Sequence, residues 1–357
     1  MSQIRVLYDG WPLAYAPASP AALHLVTILA QLPESVSAQV ALPAAAPHWL
    51  PENAEAVLAP MPNTPSGRLR WMQRTLPRLK RQAGAALLHT TQNGGPLLGG
   101  GPLVVSPAGF GAAERPGAGF AGRLADALAA GGLSRAAVLW PDDQTPPASL
   151  DSAHLRRLPG VVPHGFRAAK HGEARPFDLP EDYILYHGPG TPDALSRVLS
   201  AWSWAQAPIG EDYPLILLGL DAYALAYARY YIEAEGLVAT TRLLPDATPV
   251  EAAAVYRNCT ALFHPAAVGA WGGPARLAIA CGKAVVGIDR PDIAHLAGPA
   301  AFLIKEDNSR DLGGGVIAII IKENIRREVE DKARARSAAW HGTGFLDGLL
   351  AVYESLV

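Results

Sequence analysis

The sequence predicts an α/β protein built from two doubly wound parallel-sheet domains, and three observations carry that expectation. Short apolar runs of strand length alternate with helix-length segments along the whole chain. The 357 residues, half of them hydrophobic, suffice for two ordinary cores. A polar, proline-bounded stretch over 167–181 separates the two series and places a boundary near residue 170.

Composition removes several function classes. A formal net charge of −2 gives no electrostatic reason for a nucleic-acid partner, and no block of Lys and Arg marks a lipid surface. Cys259 and Cys281 lie in apolar contexts without metal-ligand spacing, so neither a zinc site nor a disulfide framework is expected. No metal or cofactor is anticipated. The chain enters Ile4-Arg5-Val6-Leu7-Tyr8 without a signal-peptide pattern, and no apolar run reaches membrane-spanning length. The expected location is the cytoplasm, with the membrane periphery as the alternative.

In the first half, Ile4 to Tyr8 reads as a buried parallel strand, Pro20 to Leu32 as a helix and Ser37 to Leu42 as a second strand. A helix over about 69–82 carries Arg70, Arg74, Arg78, Lys80 and Arg81 on its polar face, a solvated face or a contact for an anionic lipid or acceptor. Strands end at His89, begin at Leu103 and span 136–140. Ligands of such sheets bind beyond the carboxyl ends of the strands, where Asp9, His89 and Ser106 fall. In the second half, strands over 183–188, 214–219 and 240–244 alternate with helices over 192–205 and 221–236. Gly188 and Gly219 close two of those strands and let the backbone approach a ligand, although a glycine turn needs none. Three helices, over 311–321, 325–339 and 345–356, complete the chain, and the glycine run 313–315 lies in an apolar helical pattern with no strand before it.

The richest stretch runs from Cys259 to Asp289. A strand at Ala261-Leu262-Phe263 leads into a loop holding Gly269, Gly272 and Gly273. Pro274 opens a helix through Leu277, Ala278 and Ala280, Gly282 stops it, and Val285-Val286 begins the next strand. A helix start behind a glycine loop leaves amide N–H groups free for a phosphate, so an anion is expected against the amides of 272–275.

This stretch resembles the donor-binding segment of the group 1 (family 4) retaining glycosyltransferases of GT-B fold. LLPDATPVEAAAVYRNCTALFHP resembles the segment that precedes it in that family, VVPHGF resembles its interdomain strand and turn, and Trp340 and Tyr353 match its terminal aromatics. The resemblance implies an acceptor-side domain over 1–170, a nucleotide-sugar-binding domain over 171–340, and a helix over 341–357 crossing back to the first. It implies donor contacts at Gly188, Gly219, Leu243, Leu244, Pro245, Gly269, Trp271, Gly272, Gly273, Pro274 and Leu277, and a catalytic role for His89 beside the sugar.

Three family features are altered. The loop segment usually holds two Glu eight positions apart, whereas Gly269 and Leu277 stand there; a basic pair just after the position of Gly188 is replaced by Asp193-Ala194; and Pro17 and Pro20 occupy the glycine-rich loop after the first strand. The resemblance implies sugar transfer with retention, from a nucleotide-sugar to a glycan or lipid acceptor. The alterations favour the alternatives: an inactive scaffold or partner subunit of a working glycosyltransferase, or a protein that binds a nucleotide or sugar without turnover. With Leu277 unable to accept hydrogen bonds from a ribose, nucleotide-sugar affinity is expected to be poor.

Overall fold

The computed structural model describes residues 3–109, 120–148, 150–167, 177–244, 247–271, 273–340 and 342–357. The first sheet holds seven strands: β1 (Ile4–Asp9), β2 (Val36–Leu42), β3 (Ala54–Leu58), β4 (Leu87–Thr90), β5 (Leu103–Val105), β6 (Ala137–Pro141) and β7 (Leu155–Leu158). They pair in parallel in the order 3-2-1-4-5-6-7. The second sheet holds six: β8 (Ile184–Tyr186), β9 (Leu215–Leu218), β10 (Thr241–Leu244), β11 (Ala261–Phe263), β12 (Ala284–Ile288) and β13 (Ala301–Ile304), in the order 10-9-8-11-12-13, again all parallel. Strand order reverses between β1 and β4 in one sheet and between β8 and β11 in the other, which are the positions where open α/β sheets leave a crevice for ligands.

The helices follow as α1 (Trp11–Tyr15), α2 (Pro20–Leu29), α3 (Pro65–Arg70), α4 (Leu76–Gln82), α5 (Phe120–Leu133), α6 (Pro192–Ile209), α7 (Ala222–Ala234) and α8 (Pro249–Asn258). Then come α9 (Pro274–Ala280), α10 (Pro291–Ala297), α11 (Ser309–Ile321), α12 (Glu323–Ala338) and α13 (Gly342–Leu356). Their starts are written in the sequence. Ser19, Thr191, Asp221 and Thr248 each accept a hydrogen bond from the third residue on, and Thr248 and Glu251 close a full capping box. Gly282, at φ +70°, supplies the left-handed stop after α9.

The central strands are buried on both faces over most of their length because helices cover both. In the first domain Tyr8, Leu87, Val104 and Leu139 face one core, while Leu7, Leu88, Leu103 and Val105 face the other. The helix expected over 69–82 is longer, running from Pro65 to Gln82 with a π turn at Trp71–Thr75 between α3 and α4. Strand β3 was not anticipated: it is a half-exposed edge strand of five residues between prolines, with little periodicity to mark it. The glycine run 313–315 lies inside α11, where Gly313 brings the helix against α6. The boundary expected near residue 170 falls outside the described residues.

Helix α13 packs Phe345, Leu349 and Tyr353 into the same core as Tyr8 and Leu87 of the first domain. The Tyr353 hydroxyl lies 3.0 Å from that of Tyr8 and 2.5 Å from Nδ1 of His89.

Candidate functional site in the interdomain cleft

Strand β1 ends in Asp9, whose carboxylate is fully buried yet well supplied with donors. Oδ1 accepts from the Trp11 amide (3.1 Å) and the Trp71 indole (2.9 Å), and Oδ2 accepts from Gln92 Nε2 (2.5 Å) and the Thr90 hydroxyl (3.2 Å). The π turn begins at Trp71, which anchors this end of the helix by its indole N–H. On the far side of the amide, Gln92 Oε1 accepts from Arg68 Nη2 at 2.9 Å. Asp9 can only accept and Arg68 can only donate, so the orientation of the Gln92 amide between them is forced.

A cavity of about 280 Å³ opens beside this chain of hydrogen bonds, between the two domains. The first domain contributes Trp11, Tyr15, Ser19, Asn63, Arg68 and Gln92 to its wall. The second contributes His187, Gly188, Gly190, Gly219 and Asp221. It therefore sits at the carboxyl ends of β1, β4, β8 and β9. Gly219 is at φ +72°, and an added Cβ would lie 3.4 Å from Nε2 of His187, so the glycine keeps both the turn and the wall open. Nδ1 of His187 is 2.8 Å from the Tyr256 hydroxyl. Burial, with His264 nearby, pushes the His187 pKa down to about 3, so the ring is neutral at ordinary pH.

The loop between β11 and α9 behaves differently from the open cradle expected of it. Trp271, at φ +47°, turns its side chain into the first domain. Its ring stacks on His24 (centroids 4.9 Å apart, planes 17° from parallel), meets Phe345 edge-on at 5.3 Å, and donates Nε1–H to the Leu139 carbonyl at 3.0 Å. The Gly273 amide is already engaged by the Ala270 carbonyl (3.2 Å), and Gly273 through Ala280 are all buried. One turn on, Arg276 is fully buried, with Nη2 2.5 Å from Asp143 Oδ1 and its guanidinium 4.4 Å from the Trp340 ring centre. Trp340 closes the triangle by donating Nε1–H to the other Asp143 oxygen at 2.8 Å. The start of α9 is thus pinned against the first domain at two points.

Of the residues expected at a donor site, the structure brings Gly188 and Gly219 to the cavity. Leu277 is wholly inside the apolar core with Leu262, Ala275 and Val285, and Pro274 is buried. Leu243 and Leu244 are half-buried at the end of β10, each packed against a core, and Gly269 is half-buried with its carbonyl 3.4 Å from Gln144 Nε2. Pro245 and Gly272 lie outside the described residues. His89 is buried, with Nε2 2.8 Å from the Ser106 hydroxyl and Nδ1 on Tyr353, and burial pushes its pKa down to about 3. Arg197 is turned to the outside, where Nε lies 3.2 Å from Asp307 Oδ1. Sequence reading missed His187, Arg68 and Asp221: His187 follows β8 and Asp221 caps α7 at the crevice, whereas Arg68 lies in the last turn of α3.

Residues 173–336 match the family model of glycosyl transferases group 1. The match spans all six strands of the second sheet. Over the whole chain, the fold is shared with HepE from Anabaena, whose structure is described in complex with UDP and glucose (15% identity, TM-score 0.71, 99% of this chain and 100% of that one). It is also similar to sucrose-phosphate synthase from Thermosynechococcus elongatus (13% identity, TM-score 0.70, 99% of each chain). A third likeness is WaaG, a glycosyltransferase involved in lipopolysaccharide biosynthesis (13% identity, TM-score 0.69, 99% of each chain). At these identities the likeness establishes the GT-B arrangement of two facing parallel-sheet domains and nothing finer. No curated protein matches the chain. Among the described residues no group of His, Cys, Asp and Glu could hold a metal ion, and no helix is long and apolar enough to cross a membrane.

Proposed function

We propose that this group 1 glycosyltransferase relative binds a sugar-bearing ligand in the interdomain cleft and does not transfer sugar from a nucleotide donor. The observation that carries the reading is the pinned start of α9: Trp271 and Arg276 fill the side of the cleft where a diphosphate would meet free amides. A departing diphosphate also needs positive charge placed against it, and Arg197 is engaged with Asp307 instead. What stays open is a cavity with Trp11 and Tyr15 as apolar rings and Asn63, Gln92 and Arg68 as planar hydrogen-bonding groups, a mixture suited to a polyol. Titration calorimetry with uridine, guanosine and adenosine diphosphate sugars, run beside an assay for released nucleoside diphosphate, tests it. Binding heat without release is expected, and steady release with transfer to a glycan or lipid acceptor would overturn it.

Retaining transfer to such an acceptor is the second reading, and the family match together with HepE's description as a complex with UDP and glucose favours it. It requires Trp271 to withdraw from the first domain when the donor arrives. On either reading the nucleotide-sugar is the small-molecule partner, and on the first a working glycosyltransferase is the protein partner that a non-transferring relative would serve.

A further inference from the structure

We propose that the outer face of α6 and α11 is where a second copy of this chain docks, the two α11 helices lying antiparallel across a twofold axis. The surface belongs to the second domain, and the inference does not depend on what the cleft holds.

Helix α11 is apolar almost all round, although only one side of it is covered. Leu312, Val316, Ile319 and Ile320 fill a core of the second domain, whereas Arg310, Gly314, Ile317, Ala318 and Ile321 share the outer arc. Between Asp311 in the first turn and Lys322 after the last, that arc carries no charge. Its large members are Ile321, 64% exposed, and on the adjoining α6 Trp204, 56% exposed. The neighbouring α12 has an ordinary solvent face instead, with Glu323, Arg327, Glu328, Asp331, Lys332 and Arg334 in ion pairs along it. The glycine run 313–315 points the same way. A Cβ at Gly313 would strike the Ala201 carbonyl, and one at Gly315 the Ile304 side chain, so packing within the chain explains both. Nothing lies within 4 Å of the Cβ position at Gly314, where within one chain a glycine only weakens the helix.

The face is complementary to itself. With two α11 helices antiparallel and Gly314 opposite Ile321 of the second copy, each isoleucine fills the space over a glycine and Ile317 lies near the axis. Helix α6 runs beside α11 in the same direction, Arg197 next to Asp307 and Ala201 against Gly313, so Trp204 stands level with Gly314 and covers the same isoleucine. A tryptophan among aliphatic side chains is the kind of anchor that protein interfaces are built on. The ends match by charge. The first turn, with Arg310 and Asp311, meets Glu323 and Lys322 of the second copy, whereas a parallel copy would set each charge against its like. Arg310 has the Trp204 ring centre 6.0 Å from its guanidinium and no ion pair among the described residues. A lipid surface selects Lys and Arg around such a face, and this rim sets two acids against two cations.

The test is sedimentation equilibrium of the full chain from about 1 to about 100 μM. A concentration-dependent rise from the mass of one chain to that of two is expected. Ile321→Glu should raise the dissociation constant at least about tenfold with an unchanged circular dichroism spectrum, because the side chain it replaces is exposed. Gly314→Gln should weaken the dimer while keeping or raising helix content. Arg310→Glu and Glu323→Arg should each weaken it, and the two together should restore it, which only the antiparallel pairing of like helices explains. A monomer at every concentration overturns the proposal, as does a dimer that ignores Ile321→Glu or charge reversals that fail to rescue each other. Flotation with vesicles of phosphatidylglycerol and phosphatidylcholine is the second arm. A chain that stays monomeric and floats with the vesicles, but not as Ile321→Glu, would give the face to lipid instead.

Discussion

The indole of Trp271, from the second domain, lies stacked on the imidazole of His24, from the first, with 4.9 Å between ring centres. The pair places the largest side chain of the expected phosphate loop inside the neighbouring domain's core. It also holds a bulky residue at φ +47°, a backbone conformation that costs a non-glycine residue about 1–3 kcal/mol.

Removing that ring therefore has two opposed effects. Loss of a buried aromatic costs about 3–5 kcal/mol, and a glycine at 271 regains about 1 kcal/mol of backbone strain that alanine keeps. Trp271→Gly is expected to unfold at higher denaturant concentration than Trp271→Ala, the reverse of the usual order for these two residues. Chemical denaturation of the two variants checks it, and alanine as the more stable one would contradict the strain.

Restoring an acid at Leu277 should not rebuild a donor site. The side chain is fully enclosed by Leu262, Ala275, Ala278 and Val285, so Leu277→Glu must bury a carboxylate or protonate it. Destabilisation of about 3 kcal/mol or more is expected, without tighter nucleotide binding. A melting curve and one UDP titration decide it; a stable variant that binds UDP better would mean that Leu277 reaches the cleft.

The ion pair of Arg276 and Asp143 should behave as a coupled unit with Trp340. Either single change, Arg276→Met or Asp143→Leu, leaves a charge in a largely dry interface and is expected to cost about 3–5 kcal/mol. The double variant should cost less than the sum by at least about 1 kcal/mol. Simple additivity in a double-mutant cycle would show that the pair does not hold the domains.

Acid should weaken the protein before its carboxylates protonate. His89 and His187 have pKa values pushed down to about 3 by burial, against about 6.5 in the unfolded chain. The unfolded state takes up the protons first, so their stabilising contribution is complete above pH 6.5 and is lost as pH falls toward 3. Each ring removes up to about 1.4 kcal/mol per pH unit in that window. Unfolding free energies should stay nearly level from pH 7.5 to about 6.5 and fall from there to pH 4.5, and His89→Gln should flatten that fall; a level profile throughout would contradict buried neutral rings.

Much of the fold was legible because the parallel sheets impose a simple code. Buried runs such as Val6-Leu7-Tyr8 and Leu215–Leu218 are apolar on both faces, and Ser19, Thr191 and Thr248 announce helices with a cap followed by proline. The loop before α9 was legible as a loop but not as a wedge. Nothing local to Trp271 states that its partners are His24 and Phe345, which come from the opposite ends of the chain. Arg68 was hidden for a related reason: it sits among arginines on a basic helix, and what distinguishes it is a glutamine and an aspartate from two other strand ends.

Tyr353 has a consequence for how the molecule is made. Its hydroxyl supplies partners to Tyr8 and His89, and its helix fills the core of a domain whose strands are encoded between residues 4 and 158. On the ribosome, those strands emerge long before the helix that seals them, and the whole second domain is synthesised in between. A fragment of residues 3–167 would expose the Phe345 and Leu349 side of its core and leave two buried polar groups unpaired. The first domain is thus a late-maturing one, able to gather its sheet early but completed only when the last helix has crossed back.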